Sequence, residues 1–362
     1  MWRPREMLRW LTRRKPAALT FVVINYQQDA YLPDCLAAIA QQTRPDWEAV
    51  VVHQGPAEAL VSALAPVHGD ARVRVVQNDR PLSALGARRR GLAEVTTPLT
   101  AMIDADDMVT LRFAEALVGT QNRTGADVAI GRTLRVLPDG REVPHRYRGE
   151  AAGPVPTAGT RDAAALFLRD HGFPMLWDSV FATELLRAAF AEIPPELQVN
   201  SADDRIVKTL AFTWDISFAR VEDVVLRYRV HPTSTSHRPG VEAGLDRLED
   251  ALRAYRFLYD LVQSDDRRRR IYPWLPAHVS DRASAAILQG LWRQGGLGAL
   301  PAEARDTVIA SMDFETALVV SSLRRTAESA DQVRRLKRRL QRIDGGAPEG
   351  QQEEPEELRQ PR

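Results

Sequence analysis

Three aspartates, Asp104, Asp106 and Asp107, follow a short apolar run of the sequence, LTAMI at 99–103. Carboxylates this close repel one another, which makes it costly to ionise all three. A divalent cation removes that cost, and Mg²⁺ or Mn²⁺ prefers oxygen ligands and commonly shares them with substrate phosphates. The alternative is an Asx turn or a helix N-cap, for which one aspartate suffices. The cluster therefore predicts either a metal site or a cap.

A second acidic pair, Asp203 and Asp204, lies about 100 residues further along the chain. If the fold brings this pair into the same cleft, one carboxylate can act as a general base. The alternative is structural, because Ser201 followed by acids is also an ordinary capping pattern at the start of a helix. Spacing alone does not separate these two interpretations.

The overall composition is that of a globular protein without a dominant charge. The 362 residues are 44% hydrophobic and 27% charged. Because 49 Lys and Arg residues nearly balance 48 Asp and Glu residues, the net charge is +1, and no global field favours nucleic acid. We therefore predict no nucleic-acid partner, and the length allows two domains or one large domain with extensions.

Features that are missing from the sequence exclude several classes of protein. The single cysteine, Cys35, rules out an internal disulfide or a cysteine-built zinc site and fits a cytoplasmic location. No stretch of 18 apolar residues predicts a transmembrane helix. The segment after the first predicted strand, VINYQQDAYL, has no glycine, which argues against a dehydrogenase of the G-x-G-x-x-G type and against a nucleotidyltransferase with a glycine-rich phosphate loop.

Strands and helices alternate in the first third of the chain. Four short apolar runs that read as strands lie at 19–24, 47–52, 72–77 and 99–103. Segments of helical spacing between them predict an α/β fold with a mostly parallel sheet that is flanked by helices. Ligands of such sheets bind beyond the carboxyl ends of the strands. The segments His53–Pro56 and Asp104–Asp107 are both expected at that edge.

The second part of the chain is predicted to be mainly helical. A last strand is expected at Val221–Val230, and apolar residues recur at helical spacing from Val241 onward. We therefore divide the chain into a basic extension at 1–17, an α/β domain at 18–240, a helical C-terminal region at 241–344 and a disordered polar tail at 345–362. A heptad-like seam at Val333–Ile343 predicts a possible homo-oligomer through the C-terminal helices.

The first 15 residues hold six basic side chains and one acid, with Trp2 and Trp10 between them. One interpretation is a basic amphipathic segment in peripheral contact with the inner face of a membrane. The other is a solvated terminus, since Pro4 limits any helix there.

Residues 20–112 contain four segments in the order FVVINYQQDAYLPDCLAAIAQQT, DWEAVVV, LGARRRGLAE and TAMIDADD. In this order they resemble the donor half of family 2 glycosyltransferases, which have the GT-A fold. Further matching segments are WDSVFATELL at 177–186, ADDRIVKTL at 202–210 and YRVHPTSTSHR at 228–238. The resemblance covers about 220 of the 362 residues, and by the order and spacing of its segments residues 18–240 are identified as a GT-A glycosyltransferase domain.

The resemblance implies an inverting transfer of a sugar from a nucleotide-sugar to a hydroxyl acceptor. Asp104 and Asp106 would form the Asp-x-Asp motif that holds Mn²⁺ or Mg²⁺, and Asp204 would be the base while Asp203 orients the acceptor. The same resemblance implies donor contacts from Tyr26, Gln54, Arg88, Asp104 and Ser236, acceptor contacts from Trp177 and Asp178, and a further metal ligand in His231.

The sequence departs from the family pattern where the nucleotide base should bind. The family usually has two aspartates after the second strand, whereas His53 and Gln54 stand here. Gln54 can still offer an amide hydrogen bond to a base, so we expect an active enzyme with altered donor selection and favour a UDP-sugar. The acidic pair is Asp203-Asp204 rather than the usual Glu-Asp, which shortens its first side chain by one methylene.

Two functions from different classes remain at this point. The first is a metal-dependent glycosyltransferase that acts on a glycan or lipid-linked acceptor in cell-envelope polysaccharide, teichoic-acid-like polymer or glycolipid synthesis. The second is a non-catalytic GT-A-like module that binds a nucleotide or sugar, or that acts as a scaffold. Metal-dependent turnover of a donor would separate them.

Overall fold

The computed structural model of the protein describes residues 17–78, 80–145, 158–159, 175–235, 238, 240–280 and 282. The β-branched run LTFVVIN forms strand β1 (Leu19–Asn25), which is buried along most of its length because helices cover both faces of the sheet. The other strands are β2 (Trp47–His53), β3 (Val73–Gln77), β4 (Leu99–Asp104), β5 (Met108–Val109), β6 (Val128–Val136), β7 (Glu142–Pro144), β8 (Ala158–Gly159), β9 (Ser179–Ala182) and β10 (Phe218–Arg229). The helices are α1 (Leu32–Ala40), α2 (Ala57–Ala63), α3 (Ala84–Leu92), α4 (Phe113–Thr124), α5 (Thr183–Ala191), α6 (Asp203–Phe212), α7 (Val241–Ser264) and α8 (Asp266–Ile271).

Within the described residues the strands form one mixed sheet in the order β3-β2-β1-β4-β9-β6-β10-β5, with β7 on β6 and β8 on β10. Strands β3, β2, β1 and β4 are mutually parallel. Strand β9 enters antiparallel between β4 and β6, and β10 runs parallel to β6. The predicted α/β architecture is confirmed. The parallel arrangement holds for the first four strands, and the second half is mixed because β9 is inserted antiparallel.

The register of the parallel strands brings several loops to one edge of the sheet. Asn25 at the end of β1 pairs with His53 at the end of β2. On the other side of β1, Ile24 pairs with Asp104 at the end of β4. The loops that follow these three strands therefore leave the sheet at the same level, which is the edge where parallel sheets bind ligands.

Helix α3 lies unusually close to the central strands. Its first turn is capped by Ser83, whose Oγ accepts a hydrogen bond from the Gly86 amide at 3.1 Å. At Gly91 an added Cβ would lie 2.3 Å from Cγ1 of Val22 and 3.0 Å from Cγ2 of Val52. Only glycine permits this approach, and the last turn of α3 therefore lies directly against the sheet.

The core has two main parts, one on each face of the sheet. Successive residues of β1 alternate between them, so that Phe21 and Val23 belong to one cluster and Val22 to the other. The cluster containing Val22 also includes apolar residues of α5, α6 and α7, such as Leu248 and Tyr255. The C-terminal helices α7 and α8 thus share a hydrophobic core with the α/β sheet.

Some of the predicted segments lie outside the described residues. These are the basic segment at 1–15, the seam at Val333–Ile343 and the tail at 345–362. Among the residues that are described, no helix is both long enough and apolar enough to cross a membrane.

Candidate active site

Asp106 and His231 meet at the edge of the sheet although they lie 125 residues apart. The Nε2 atom of His231 is 2.8 Å from Oδ2 of Asp106, and its Nδ1 is 2.8 Å from the Oγ1 of Thr233. The imidazole also packs against Tyr31, with ring centroids 4.4 Å apart. The loop after β10 therefore brings a nitrogen ligand to the carboxylate that the sequence predicts as a metal ligand.

This pair fits a divalent ion that is shared with a substrate. If Nδ1 of His231 donates to Thr233, the lone pair on Nε2 faces Asp106 and is available to a cation. A carboxylate oxygen and an imidazole nitrogen suit Mn²⁺, while phosphates and water supply the remaining ligands of such ions. No group of three or more His, Cys, Asp and Glu side chains in the described ranges is arranged around one point. An ion at this place would thus depend on the substrate for part of its coordination.

Asp107 has a structural role in the acidic cluster. Its side chain is fully buried, and its Oδ1 accepts a hydrogen bond from the backbone amide of Arg229 at 2.9 Å. Burial, together with the charges of Asp106 and Asp104, raises the pKa of Asp107 well above its usual range. Asp107 therefore connects the end of β10 to the cluster. It thereby positions the residues that follow β10, which include His231.

Arg88, in the middle of α3, joins the two acidic motifs. Its Nη2 donates to Oδ1 of Asp104 at 2.7 Å, and its Nε donates to Oδ2 of Asp203 at 2.7 Å. Only 3% of the arginine is exposed. Its Nη1 is buried and has no hydrogen-bond partner among the described residues. Arg88 thus fixes the distance between the end of β4 and the start of α6, and it keeps one donor unused.

The pKa of Asp104 is raised although Arg88 is bonded to its carboxylate. Burial raises the pKa of Asp104 to about 6, and the nearby carboxylates of Asp106 and Asp203 act in the same direction, whereas Arg88 lowers it. The cluster therefore carries more negative charge than a single guanidinium balances. A bound cation would favour the ionised form of all its carboxylates.

Helix α6 begins with the second acidic pair and an unusual backbone. Ala202, immediately before the helix, adopts a left-handed conformation with φ of 67°, which is costly for a residue with a Cβ. No side chain caps this helix, so the capping interpretation of Ser201 and the acids is not what the structure contains. The strained residue instead turns Asp203 inward, where it is 6% exposed, toward Arg88.

Asp204 is placed differently from its neighbour. It is only partly buried, and its Oδ1 accepts a hydrogen bond from the backbone amide of Arg205 at 2.7 Å. Burial, followed by the charge of Asp203, raises the pKa of Asp204 above the usual range. A partly accessible carboxylate with a raised pKa is a stronger base than an ordinary aspartate and can accept a proton from a substrate.

The side of the site assigned to the donor holds Gln54 and Tyr26. Gln54 is largely buried, and its Oε1 accepts a short hydrogen bond from the backbone amide of Leu82, which leaves its Nε2 without a described partner. Tyr26 is 46% exposed on the loop after β1. His53, the last residue of β2, is fully buried and is bonded to Asn25 and to the carbonyl of Pro56.

The residues assigned to the acceptor lie inside the protein. Trp177 is 5% exposed and stacks on Tyr228, with ring centroids 5.4 Å apart. Asp178 is fully buried, accepts a hydrogen bond from Ser179 at 2.7 Å and lies 3.7 Å from Nζ of Lys208. Both side chains are buried in this conformation, and their role toward the acceptor stays a prediction.

The main contact that sequence reasoning missed is the bond from Arg88 to Asp203. The resemblance implied that Arg88 contacts the donor and that Asp203 orients the acceptor, whereas the structure pairs their side chains across 115 residues. Lys208 was missed as well, although a single lysine inside the apolar face of α6 is a visible signal. Ser236, the remaining predicted donor contact, lies outside the described residues.

Comparison with known families agrees with this arrangement. Residues 20–182 match the family described as "Glycosyl transferase family 2". The chain therefore contains a family 2 glycosyltransferase domain. The prediction made from the motifs is confirmed, and the match includes β1 to β4, Arg88 and the aspartate cluster.

Curated relatives of this glycosyltransferase domain match over part of their length. A teichoic acid poly(glycerol phosphate) polymerase of Staphylococcus epidermidis is 31% identical over 91 residues, which are 25% of this chain and 13% of the relative. EpsH of Bacillus subtilis, a provisionally assigned glycosyltransferase, is 21% identical over 230 residues, which are 61% of this chain and 63% of the relative. The chain thus spans less than two thirds of the length of both relatives.

Solved structures establish the fold of the glycosyltransferase domain as GT-A-like. The mannosyltransferase PcManGT of Pyrobaculum calidifontis, solved with GDP-Man and Mn²⁺, superimposes with a TM-score of 0.51 at 16% identity and covers 88% of this chain and 93% of that one. Residues 1–349 of S. aureus TarS, solved with UDP-GlcNAc, give a TM-score of 0.50 at 12% identity over 83% of this chain and 88% of that one. The predicted fold class is confirmed.

Proposed function

We propose that the protein is a metal-dependent inverting glycosyltransferase that moves a sugar from a nucleotide-sugar donor to a hydroxyl acceptor. The observation that carries this proposal is the convergence of four distant segments at one edge of the sheet. Arg88 joins Asp104 to Asp203, and Asp106 meets His231 at 2.8 Å. The glycosyltransferase domain supports the class of reaction.

The leaving group departs from the anomeric carbon as a nucleoside diphosphate, and its developing charge must be stabilised. Asp106 and His231 would hold a divalent ion, which neutralises diphosphate charge when it is bound. Asp104 lies beside them and is oriented by Arg88. The unpaired Nη1 of Arg88 is a buried donor of the kind that a ligand oxygen satisfies.

Asp204 would act as the general base. It takes the proton of the acceptor hydroxyl while that oxygen forms a bond to the anomeric carbon and the bond to the diphosphate oxygen breaks. This single displacement inverts the anomeric configuration and needs no protein nucleophile. Asp203, held by Arg88 at 2.7 Å, fixes the start of α6 and so sets where Asp204 stands.

The donor and acceptor classes follow from weaker observations. Gln54 can offer its Nε2 group to a nucleotide base, and Tyr26 is exposed on the loop after β1. The two solved structures of similar fold contain UDP-GlcNAc and GDP-Man, and of these two donor classes we favour a UDP-sugar. The partial match to a teichoic acid polymerase suits an acceptor in a cell-envelope glycan or a lipid-linked glycan. We place the enzyme in the cytoplasm, with peripheral membrane contact through residues 1–15.

The test is release of nucleoside diphosphate from UDP-, GDP-, dTDP-, CDP- and ADP-sugars with Mn²⁺, with Mg²⁺ and with EDTA. Wild-type protein is compared with Asp106→Ala and with a matched control, Asp139→Ala, which removes an exposed aspartate whose hydrogen bonds, within the described part of the chain, are to Arg141 of its own turn. We expect one donor to be hydrolysed slowly, only with metal, by wild type and control but not by Asp106→Ala.

Two outcomes would overturn the proposal. If turnover in EDTA and turnover by Asp106→Ala both equal that of wild type with metal, the proposed dependence on a metal ion is wrong. Metal-dependent nucleotide binding without any turnover, when a panel of glycan acceptors is also supplied, would favour a non-catalytic module that binds nucleotides.

A further inference from the structure

The C-terminal helix α7 contacts the loop that carries the proposed base. Oδ2 of Asp250, in the middle of α7, accepts hydrogen bonds from the backbone amides of Asn200 at 2.9 Å and of Ser201 at 3.0 Å. Asp250 is only 6% exposed. By accepting from two successive amides, this one buried carboxylate holds the part of the chain immediately before the left-handed residue Ala202.

Two further side chains of α7 bind the same part of the chain. The hydroxyl of Tyr255 accepts a hydrogen bond from Nη1 of Arg205 at 3.1 Å. Arg253 donates from Nη1 to the carbonyl of Gln198 at 3.3 Å. Contacts from α7 therefore flank Asp203 and Asp204 on both sides in the sequence.

The same loop is also hydrogen-bonded to the start of α3, the helix that carries Arg88. Oε1 of Gln198 accepts from the Oγ of Ser83 at 2.8 Å, and Oδ1 of Asn200 accepts from the backbone amide of Ala84 at 3.1 Å. Ser83 and Ala84 begin α3, whose Arg88 binds Asp203. Helix α7, the loop at 198–202 and the start of α3 thus form one connected network of hydrogen bonds.

We propose that Asp250 is a positioning residue for glycosyl transfer, and that α7 is part of the catalytic unit because it holds the loop before Asp203 in its strained conformation. The inference rests on the proposed function, since it assigns Asp250 an effect on the base Asp204. Asp250 acts through the amides of Asn200 and Ser201. Without it, the amides of Asn200 and Ser201 lose their buried acceptor, the left-handed backbone at Ala202 relaxes, and Asp204 moves away from the acceptor.

The experiment compares three variants of the full chain with wild type. Asp250→Ala removes both acceptor bonds, whereas Asp250→Asn keeps one side-chain oxygen that can receive both amides. Asp260→Ala is the matched control, because it removes an exposed aspartate of the same helix whose ion pair, within the described residues, is with the exposed Arg256. The readouts are kcat and KM for the donor, and hydrogen exchange of the Asn200 and Ser201 amides without substrate.

We expect Asp250→Ala to lower kcat by about 10- to 100-fold while the donor KM stays within about threefold, since a misplaced base slows the chemical step and leaves donor binding intact. The Asn200 and Ser201 amides should exchange at least about tenfold faster. Asp250→Asn should recover most of kcat and of the protection, and Asp260→Ala should match wild type. If Asp250→Ala does not fold, Tyr255→Phe, which removes the hydroxyl bound to Arg205, should lower kcat severalfold at unchanged KM.

Unchanged kcat in Asp250→Ala or Tyr255→Phe, or unchanged exchange of the two amides, would overturn the inference. Equal losses in the Asn and Ala variants would also overturn it, because they would point to charge rather than to the acceptor oxygen. Absence of turnover in wild type would contradict the proposed function instead, and the exchange measurement would still decide whether Asp250 holds the loop.

Discussion

Two buried arginines, each bound by two carboxylates, stand in two regions of this molecule and differ in how completely they are satisfied. Arg268 of α8 uses all three nitrogens, donating to Glu192 from both Nη atoms, to Asp265 from Nη1 and to Thr213 from Nε. Arg88 leaves Nη1 without a described partner.

Beside each arginine, the pKa of one carboxylate is shifted, and the two shifts have opposite directions. Although burial opposes it, hydrogen bonds and the charge of Arg268 lower the pKa of Asp265. Beside Arg88, the effect of burial is larger than the attraction of the guanidinium and raises the pKa of Asp104 to about 6. A network with every group paired stabilises the fold, whereas one with excess negative charge and a spare donor is ready for a cation and a ligand.

Backbone strain separates the regions as well. The non-glycine residues with positive φ in the described ranges are Gln27 and Ala202, and both lie on loops at the candidate site. None is found beside Arg268. Strain that the surroundings impose is typical of functional sites, so this difference agrees with the assignment of the Arg88 region to chemistry and of the Arg268 region to stability.

Arg88→Met should give the largest effect on turnover. It separates Asp104 from Asp203 and removes the donor that faces the site, so we expect kcat/KM to fall by about 100-fold or more. The measurement is initial rates of diphosphate release under conditions where circular dichroism confirms that the variant is folded. Turnover within about threefold of wild type would contradict the role of this arginine.

Arg268→Met should instead reduce stability. It leaves Glu192 and Asp265 without their cation, and breaking such a buried network costs about 3–5 kcal/mol. We expect the free energy of unfolding in urea to fall by this amount, while kcat measured well below the melting temperature stays close to wild type. A large loss of kcat without a loss of stability would remove the contrast between the two arginines.

Lys208 gives a pH-dependent prediction for the region of Asp178. Burial lowers the pKa of Lys208 to about 8 from 10.5 in the unfolded chain, so between these values the unfolded state binds more protons than the native state. The free energy of unfolding of wild type, relative to Lys208→Met, should therefore rise from pH 8 to pH 10.5, by about 3 kcal/mol at most. Urea titrations across this range test it, and a difference that is flat with pH would contradict it.

Ala202→Gly should give the smallest effect. Glycine removes about 1–2 kcal/mol of left-handed strain but adds freedom to the unfolded chain, which costs about 0.4–1 kcal/mol. We expect a net stabilisation of about 0.5 kcal/mol in thermal or urea unfolding. Destabilisation would mean that the contacts from α7, rather than the conformation of residue 202, determine the cost at this position.

Local patterns predicted the framework of the site better than its contacts. The runs around Val22, Val51 and Ile103 are short, β-branched and apolar, and they form strands whose ends lie at one edge as expected. The bond from Arg88 to Asp203 joins positions 115 residues apart and depends on how closely Gly91 lets α3 approach the sheet. No local pattern in the sequence indicates this contact. The same holds for the hydrogen bonds that Asp250 accepts from the amides of Asn200 and Ser201.

The central claim is that these distant segments form one site for glycosyl transfer with Asp204 as the base. The most direct test is turnover by Asp204→Asn with the donor that wild type accepts, alongside measurement of nucleotide and Mn²⁺ binding. The account predicts that kcat falls by about 10²–10⁴-fold while nucleotide and metal affinity stay close to wild type. Turnover close to wild type in this variant would contradict the claim.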